Sequence, residues 1–433
     1  MEKFEIAMRN LYMDKIYRFL ENDNLLFVTG VRRAGKSCIA KCLEAELQDR
    51  CTNGERVIRI SFEKIDHSRV TADEMIAELK EQYATDKMNY ILLDEVIHVV
   101  DWERAINLLY RLGNCKLVLF SSNRRIFSNE LFAIQEEKYD EVSVFPLSLA
   151  EFIQFQGFQE TTSESDSLKE KEYRRFDGRV CTIEEIYRYY IIYGGLPILR
   201  PEYMDRERAW VVTDGSYGAI VTRDIMEIGS DSNSSAVTDT MLLRTVITIM
   251  AKSLGSNISA TWVSKQTGRY LGKASSTKTI ESYIRALLNA HLFYISARYD
   301  IKTDRVMQTL AKYYIVDACF HNYVADIHVD DESCLLENKV FFELLRQGYD
   351  VYNGKLGKEE ITFVAMKDGQ KIYIQVANDA SDEYLERIAS PLRRIRDDNK
   401  RLIFAKGCAN GVTYDGIIMM NVLEFLMGKD FVL

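Results

Sequence analysis

The stretch that most limits what this chain can fold into is "LFVTGVRRAGKS", residues 26–37. A short apolar run stops at Gly30, and Gly35-Lys36-Ser37 closes the segment, so G-x-x-x-x-G-K-[ST] is matched in full. That spacing is suited to binding phosphate. Glycine lets backbone N–H groups turn inward around phosphate oxygens. A helix opening near Gly35 aims the positive end of its dipole at the same point. Gly30, Val31, Arg32, Arg33, Ala34, Gly35, Lys36, Ser37 and Cys38 are the expected nucleotide-binding residues. The Lys36 ammonium is expected to reach the β- and γ-phosphates of ATP, and the Ser37 hydroxyl to ligate Mg2+. The motif accepts any residue at 32 and 33, which leaves Arg32 and Arg33 without an assigned role.

The surrounding pattern supplies the context this loop needs. "LLFVTG" (25–30) reads as a buried parallel strand and "SCIAKCLEAELQ" (37–48) as a helix. Further strands are expected at 56–62, 90–96, 115–123 and 140–147, and helices at 11–22, 72–85 and 102–112. Strands alternating with helices predict an α/β fold, a parallel sheet with helices on both faces. Asp94 ends an apolar strand, where a carboxylate can hold Mg2+, and Glu95 follows it directly. A carboxylate there can take a proton from an attacking water, which suits hydrolysis. Asn123 ends the next strand and is the candidate to touch the γ-phosphate or that water; the alternative is a plain loop start. Arg124 and Arg125 could stabilise phosphate charge in cis or in a neighbouring subunit, but the reading as solvated surface charges is favoured. Tyr12–Tyr17 are placed near the adenine by position only.

With 433 residues the chain is expected to form several domains. After a polar loop at 161–170, residues 183–228 look helical except at "YGGLP" (193–197). From about 238 come three helices and two strands, the order of a winged helix-turn-helix. From 335 a helix, a hairpin turning at Asp368–Gly369, a strand at 401–407 and a last helix make a small mixed α/β module. The expected boundaries are 1–157 for the phosphate-binding core, 158–235 for a helical lid-like region, 236–330 for the winged helix and 331–433 for the last module.

A net charge of −9 argues against a nucleic-acid footprint over the whole surface but leaves room for a local one. Lys265, Arg269, Lys273, Lys278, Thr279, Ser282, Arg285, Arg298, Lys302 and Arg305 could form a phosphate-contacting face. The bland alternative is an ordinary solvated surface. The 8 cysteines include no CxxC pair and no zinc-like spacing; Cys38 and Cys42 read as packing residues on a helix. The start lacks a secretory pattern, and no run of about 18 apolar residues is present. The expectation is a cytoplasmic protein with reduced thiols and no membrane partner.

Taken in order, "VTGVRRAGKS", "YILLDEVIHVVDWERAINLL", "VSVFPLSLAEF", "YGGLP", "VTRDI", "KYYIVD", "LLENKVFFELLRQGYDVYNGK" and "KIYIQV" resemble the bacterial and archaeal AAA-type ATP-binding proteins that carry a C-terminal domain of unknown function. The resemblance spans nearly the whole chain. It implies an AAA-type core, a helical region, a winged helix and a C-terminal fold similar to restriction-endonuclease-like domains, with ATP and Mg2+ as ligands. Two departures stand out. Where such proteins often have Gly-Arg before the strand leading to "PLS", this chain has Glu137-Lys138. Where they usually have Glu-Ile-Asp-Phe, it has Glu360-Ile361-Thr362-Phe363, and Gln375-Val376-Ala377 stands in place of acid-x-lysine. Glu337 alone cannot assemble a metal site, so no nuclease activity is expected of this module.

Two classes of function remain open from the residues. One is an ATP hydrolase that drives a conformational change on a nucleic acid, a protein partner or a homo-oligomer. The other is a non-hydrolysing ATP-binding adaptor. Glu95 favours the first.

Overall fold

The computed structural model describes residues 9–22, 25–63, 70–127, 140–161, 168, 171–199, 205–227, 237–325, 332–411 and 413–431. The chain divides into two compact units. The first holds residues up to Val144 with Ala219–Ser232 and Asn289–His291; the second holds Phe145–Gly218, Asn233–Leu288 and Leu292–Leu433.

The first unit is built on helix α1 (Asn10–Asn22), strand β1 (Leu25–Thr29), α2 (Lys36–Arg50), β2 (Arg56–Ser61), α3 (Ala72–Gln82), β3 (Asn89–Asp94), α4 (Trp102–Leu112), β4 (Cys115–Ser121) and β5 (Asp140–Ser143). The strands form one parallel sheet in the order β2-β3-β4-β1-β5, as the alternation of strand and helix patterns predicts. β1 is buried along its whole length, which explains its unbroken apolar run. On one face, Phe27, Leu93, Leu117 and Leu119 pack with Met75 and Leu79 of α3 and Trp102 and Ile106 of α4. Local chemistry fixes the helix ends. Thr71 and Glu74 form a reciprocal capping box at the start of α3, and α4 stops at Gly113 in the left-handed region. The expected strand at 140–147 is shorter than its apolar pattern, ending at Ser143. Because β4 lies between β1 and β3, the carboxyl ends of three strands stand side by side. Open parallel sheets place ligands at such ends. Residues Ile220–Glu227, also in this unit, form a π-helix.

The second unit begins with the helix Leu149–Phe155 and the helix Ile183–Tyr193. Between them lies a small antiparallel sheet of β6 (Gln159–Glu160), β7 (Glu172–Arg174) and β8 (Val180–Thr182). After the helix Arg206–Ala219, three more helices follow at Thr240–Ala251, Ala260–Leu271 and Thr277–Asn289. Next come the antiparallel strands β9 (Phe293–Asp300) and β10 (Arg305–Ile315), in the order read from the sequence. These two strands do not stand alone. With β11 (Asp350–Leu356), β12 (Glu359–Lys367), β13 (Gln370–Ala377), β14 (Lys400–Ala405), β15 (Thr413–Tyr414) and β16 (Ile417–Asn421) they form an eight-stranded mixed sheet, ordered β10-β9-β11-β12-β13-β14-β16-β15. The sheet crosses residue 330 through a parallel pairing of β9 with β11. β11 gives a weak sequence signal because Asn353-Gly354 interrupts it. Gly354 is needed there, since a Cβ would come within 2.8 Å of Ile361 Cβ and 2.9 Å of Val364 Cγ2. Ile403, Tyr373, Val364 and Ile361 of this sheet pack on Leu385, Ala389 and Leu392 of the helix Asp382–Arg393.

Several of the short motifs quoted above meet in a buried polar cluster of this second unit. Leu147 N–H donates to Gly195 O at 2.7 Å, and Tyr190 Oη donates to Leu147 O at 2.7 Å. Asp317 accepts from the Gly195 N–H at 2.7 Å and the Cys319 N–H at 2.9 Å. Asn338 donates to Ile315 O, and Arg346 to Pro146 O, each at 2.9 Å. The segments "PLS", "YGGLP", "YIVD" and "LLENK" are therefore one structural device, joined by hydrogen bonds that keep buried backbone groups paired.

Candidate active site

At the end of β1, Gly30 has φ 149°, and a Cβ there would sit 2.1 Å from Val144 O. Only glycine fits, because the chain after β5 closes directly over it: Val144 N–H donates to Thr29 O at 2.7 Å. The loop then turns through two left-handed residues, Arg33 at φ 67° and Gly35 at φ 102°. Ala34 N–H bonds to Val31 O at 3.1 Å, and Arg9 donates from outside the loop to Ala34 O at 2.8 Å. Gly35 O accepts from the N–H groups of Cys38 and Ile39, which opens α2.

Lys36 is buried and points back along the loop. Its Nζ donates to Gly30 O at 2.8 Å and Val31 O at 3.2 Å, and lies 4.0 Å from Glu95 Oε1. Burial lowers its pKa, against the opposing charges of Glu95, Asp94 and Asp224. Asp94 ends β3 with its carboxyl pKa raised by burial, offset in part by a hydrogen bond from Ser37 and the charge of Lys36. Asp94 Oδ1 is buried and has no hydrogen-bond partner among the described residues. An unpaired buried carboxylate oxygen beside a serine hydroxyl suits a hard cation that takes oxygen ligands. Ser37 and Asp94 therefore fit Mg2+.

Glu95 sits at φ 55°, in the left-handed region that a non-glycine residue rarely adopts. Its N–H donates to Phe120 O at 2.8 Å. Its Oε2 accepts from the N–H and the Oγ of Ser122, both at 3.1 Å. Backbone strain of this kind persists where surrounding bonds over-determine a residue, and it clusters at functional sites.

Asn123 lies at the same edge, with both ends of its amide engaged. Nδ2 donates to Asp224 O at 2.7 Å, and Oδ1 accepts from the Arg125 N–H at 2.9 Å. Arg124 pairs with Glu141 at 3.2 Å. Arg33 and Cys38 are exposed. Tyr12 is buried under Arg9, and Tyr17 donates to Glu46 at 2.6 Å beneath Arg50. Both tyrosines already have partners. Glu137 and Lys138 lie outside the described residues.

Sequence reading missed three members of this neighbourhood. Arg9 braces the loop from before α1. Asp224 reaches it from the π-helix Ile220–Glu227 and pairs with Arg32. His291 is fully buried in the same unit, its pKa lowered well below the usual value by burial and then by the charges of Arg124 and Lys36. Their separation in sequence hides all three: no local pattern links position 32 to position 224. "VTRDI" was a visible signal, but one without a role attached.

In the second unit Lys265, Arg269, Lys273, Lys278, Arg285, Lys302 and Arg305 are exposed, and Arg298 is half-buried. Trp262 and Tyr270 stand exposed on the same helix as Lys265 and Arg269. Buried Lys312 of β10 lies 3.1 Å from Glu337 and 2.6 Å from Glu360, both of the C-terminal module. Tyr314 donates to Glu337 at 2.6 Å, and Thr362 Oγ1 donates to Gln375 at 2.5 Å. A lysine ammonium thus stands between the two acids. Burial works to lower its pKa, but the charges of Glu337 and Glu360 prevail and raise it. Among the described residues no helix is long and apolar enough to cross a membrane.

Comparison with known proteins matches residues 22–153 to the AAA domain and residues 184–331 to a domain of unknown function, DUF8612. An uncharacterized protein of Haemophilus influenzae is 28% identical over 434 residues, covering 99% of this chain and all of that protein. Among solved structures, the Aeropyrum pernix ORC1 protein in complex with DNA aligns over 73% of this chain and 92% of its own, at 10% identity and a TM-score of 0.29. AMPPCP-bound DnaA from Aquifex aeolicus aligns over 64% of this chain and 87% of its own, at 16% identity and a TM-score of 0.25. C. elegans PCH-2 aligns over 65% and 66%, at 15% identity and a TM-score of 0.23.

Proposed function

We propose that this chain, an AAA-type P-loop protein by its residues 22–153, binds ATP with Mg2+ and hydrolyses it to drive a conformational change on a partner. The observation that carries the reading is convergence. The loop after β1, Asp94 and Glu95 after β3, and Ser122 after β4 all meet at one edge of the parallel sheet. Backbone N–H groups of residues 30–38 would cradle the phosphates. Lys36 would exchange its two carbonyl contacts for phosphate oxygens, which are stronger acceptors because they are charged. Ser37 and Asp94 would hold Mg2+, which neutralises charge on the β- and γ-phosphates. Glu95, oriented by Ser122, would accept the proton of the attacking water.

Titration of the full chain with ATP tests this. Binding that needs Mg2+ and is lost in Lys36→Ala supports it. Binding that is absent in the wild type, or unchanged in Lys36→Ala, refutes it.

DNA is the partner favoured by a specific observation. Between Ala260 and Arg305 eight lysines and arginines stand against three acids, a local balance of +5 in a chain of −9. The helix–helix–helix–hairpin order of this segment supports a winged-helix reading. Each phosphate contact adds a slope of about −0.9 in log affinity against log salt. Lys278→Ala with Arg285→Ala should therefore weaken duplex binding and flatten the slope by about 2. Binding that is insensitive to salt, or missing at low salt, would remove DNA as the partner.

A further inference from the structure

Arg32 occupies a place in the phosphate loop where the motif demands nothing. Arg32 is 6% exposed. Nε donates to Asp224 Oδ2 at 3.0 Å and Oδ1 at 3.2 Å, Nη2 donates to Asp224 Oδ1 at 2.7 Å, and Nη1 donates to Glu63 Oε1 at 2.7 Å. The Nε–Nη2 side of the guanidinium is therefore filled by the Asp224 carboxylate, in the bidentate geometry arginine also uses for phosphate, while Glu63 takes Nη1.

Asp224 is 1% exposed and touches more than Arg32. Ser122 Oγ lies 3.0 Å from its Oδ1, and its own carbonyl accepts from Asn123 at 2.7 Å. The same Ser122 hydroxyl lies 3.1 Å from Glu95 Oε2. A hydroxyl has one proton, so it can donate to Asp224 or to Glu95 but not to both at once. The charges of Glu95, Asp94, Asp224 and Arg32 all act on the Lys36 ammonium. The Arg32–Asp224 pair thus stands within the field of the group that meets the terminal phosphates. Asp224 is also held on a π-helix, a geometry that recurs at functional sites.

We propose that Asp224 is a built-in counter-ion for Arg32 which the γ-phosphate displaces, so that the pair sets the preference of the site for a nucleoside triphosphate over a diphosphate. The inference rests on the ATP reading above. A diphosphate is held by the loop N–H groups and Lys36 and offers no anion to compete for Arg32. A terminal phosphate brings charged oxygens that match the guanidinium fork. When Arg32 turns to it, the Asp224 carboxylate loses the guanidinium and competes more strongly with Glu95 for the single Ser122 hydroxyl proton. The exchange therefore reports the presence of the γ-phosphate to the residue proposed as general base.

The test measures the affinity of the full chain for a non-hydrolysable ATP analogue and for ADP, each with Mg2+. Asp224→Asn keeps the shape and removes the competing charge. It should raise the triphosphate-to-diphosphate affinity ratio about tenfold, through the triphosphate alone, as expected for one charge-assisted contact. Arg32→Gln should lower the ratio by a similar factor, and it provides the reading should Asp224→Asn fail to fold. An unchanged ratio in either folded variant, or an equal loss of both affinities in Asp224→Asn, overturns the proposal. A wild-type chain that binds neither nucleotide overturns the ATP reading itself, and this inference with it. A wild type that binds both, with the ratio unmoved by the variants, sinks this inference alone.

Discussion

Glu95→Gln should bind ATP within a few-fold of the wild type yet release phosphate about 10²–10⁴ times more slowly, the usual range for loss of a positioned general base. The geometry separates the two effects. Glutamine keeps the length of the side chain and can still accept from the Ser122 N–H and Oγ through its carbonyl oxygen, as Glu95 Oε2 does at 3.1 Å. The strained backbone at φ 55° stays supported by the bond from the Glu95 N–H to Phe120 O. The capacity to take a proton from water is lost. Lys36 also loses its ion-pair partner at 4.0 Å, which changes the loop by one charge and leaves its backbone cradle in place. Steady-state phosphate release with parallel binding titrations reads both quantities. A variant that turns over at the wild-type rate would show that Glu95 is not the base. Background turnover in wild type and variant alike would favour the adaptor reading.

Asp317→Ala should destabilise the second unit by about 3–5 kcal/mol, the cost of stripping a buried ion of its compensation. Asp317 is fully buried and accepts the N–H groups of Gly195 and Cys319. Its charge also acts on Lys339, which is buried with its ammonium 3.7 Å from the Tyr190 ring centroid. Burial depresses the Lys339 pKa, and the Asp317 charge is the first influence that opposes this. Alanine would leave two buried N–H donors and one buried ammonium short of a partner. The pocket is also closely fitted, because a Cβ on Gly194 would lie 1.7 Å from Asp317 Oδ1. In a unit of this size the loss corresponds to a drop of roughly 6–20 °C in the unfolding midpoint. Thermal unfolding followed by circular dichroism checks it. A drop of less than 2–3 °C, about 1 kcal/mol, would mean that water or a neighbouring group replaces the carboxylate.

The parallel core was legible because each of its parts is a local pattern. A buried strand is a short apolar run, a helix repeats its apolar face every three to four residues, and the phosphate loop is a fixed spacing of glycine, lysine and serine. The helix–helix–helix–hairpin order was readable for the same reason. β11 was not, because its glycine answers to Ile361 and Val364 on the neighbouring strand. Nor could a linear pattern show that "PLS", "YGGLP", "YIVD" and "LLENK" share one set of buried hydrogen bonds. In the chain they are separate short segments, and Asp317 and Arg346 join them.

By itself the sequence determined the α/β class, the position of the glycine-rich loop after β1 and the adjacent acids Asp94 and Glu95 at the end of β3. It could do so because these depend on residues near one another in the chain. Only the tertiary structure decided what Arg32 does, that Asn123 bonds to Asp224 and Arg125, and that Lys312 stands between Glu337 and Glu360. In each case the deciding partner is brought close by the fold from a distant or differently read segment. A buried charge takes its role from whichever opposite charge or hydrogen-bond partner is packed against it.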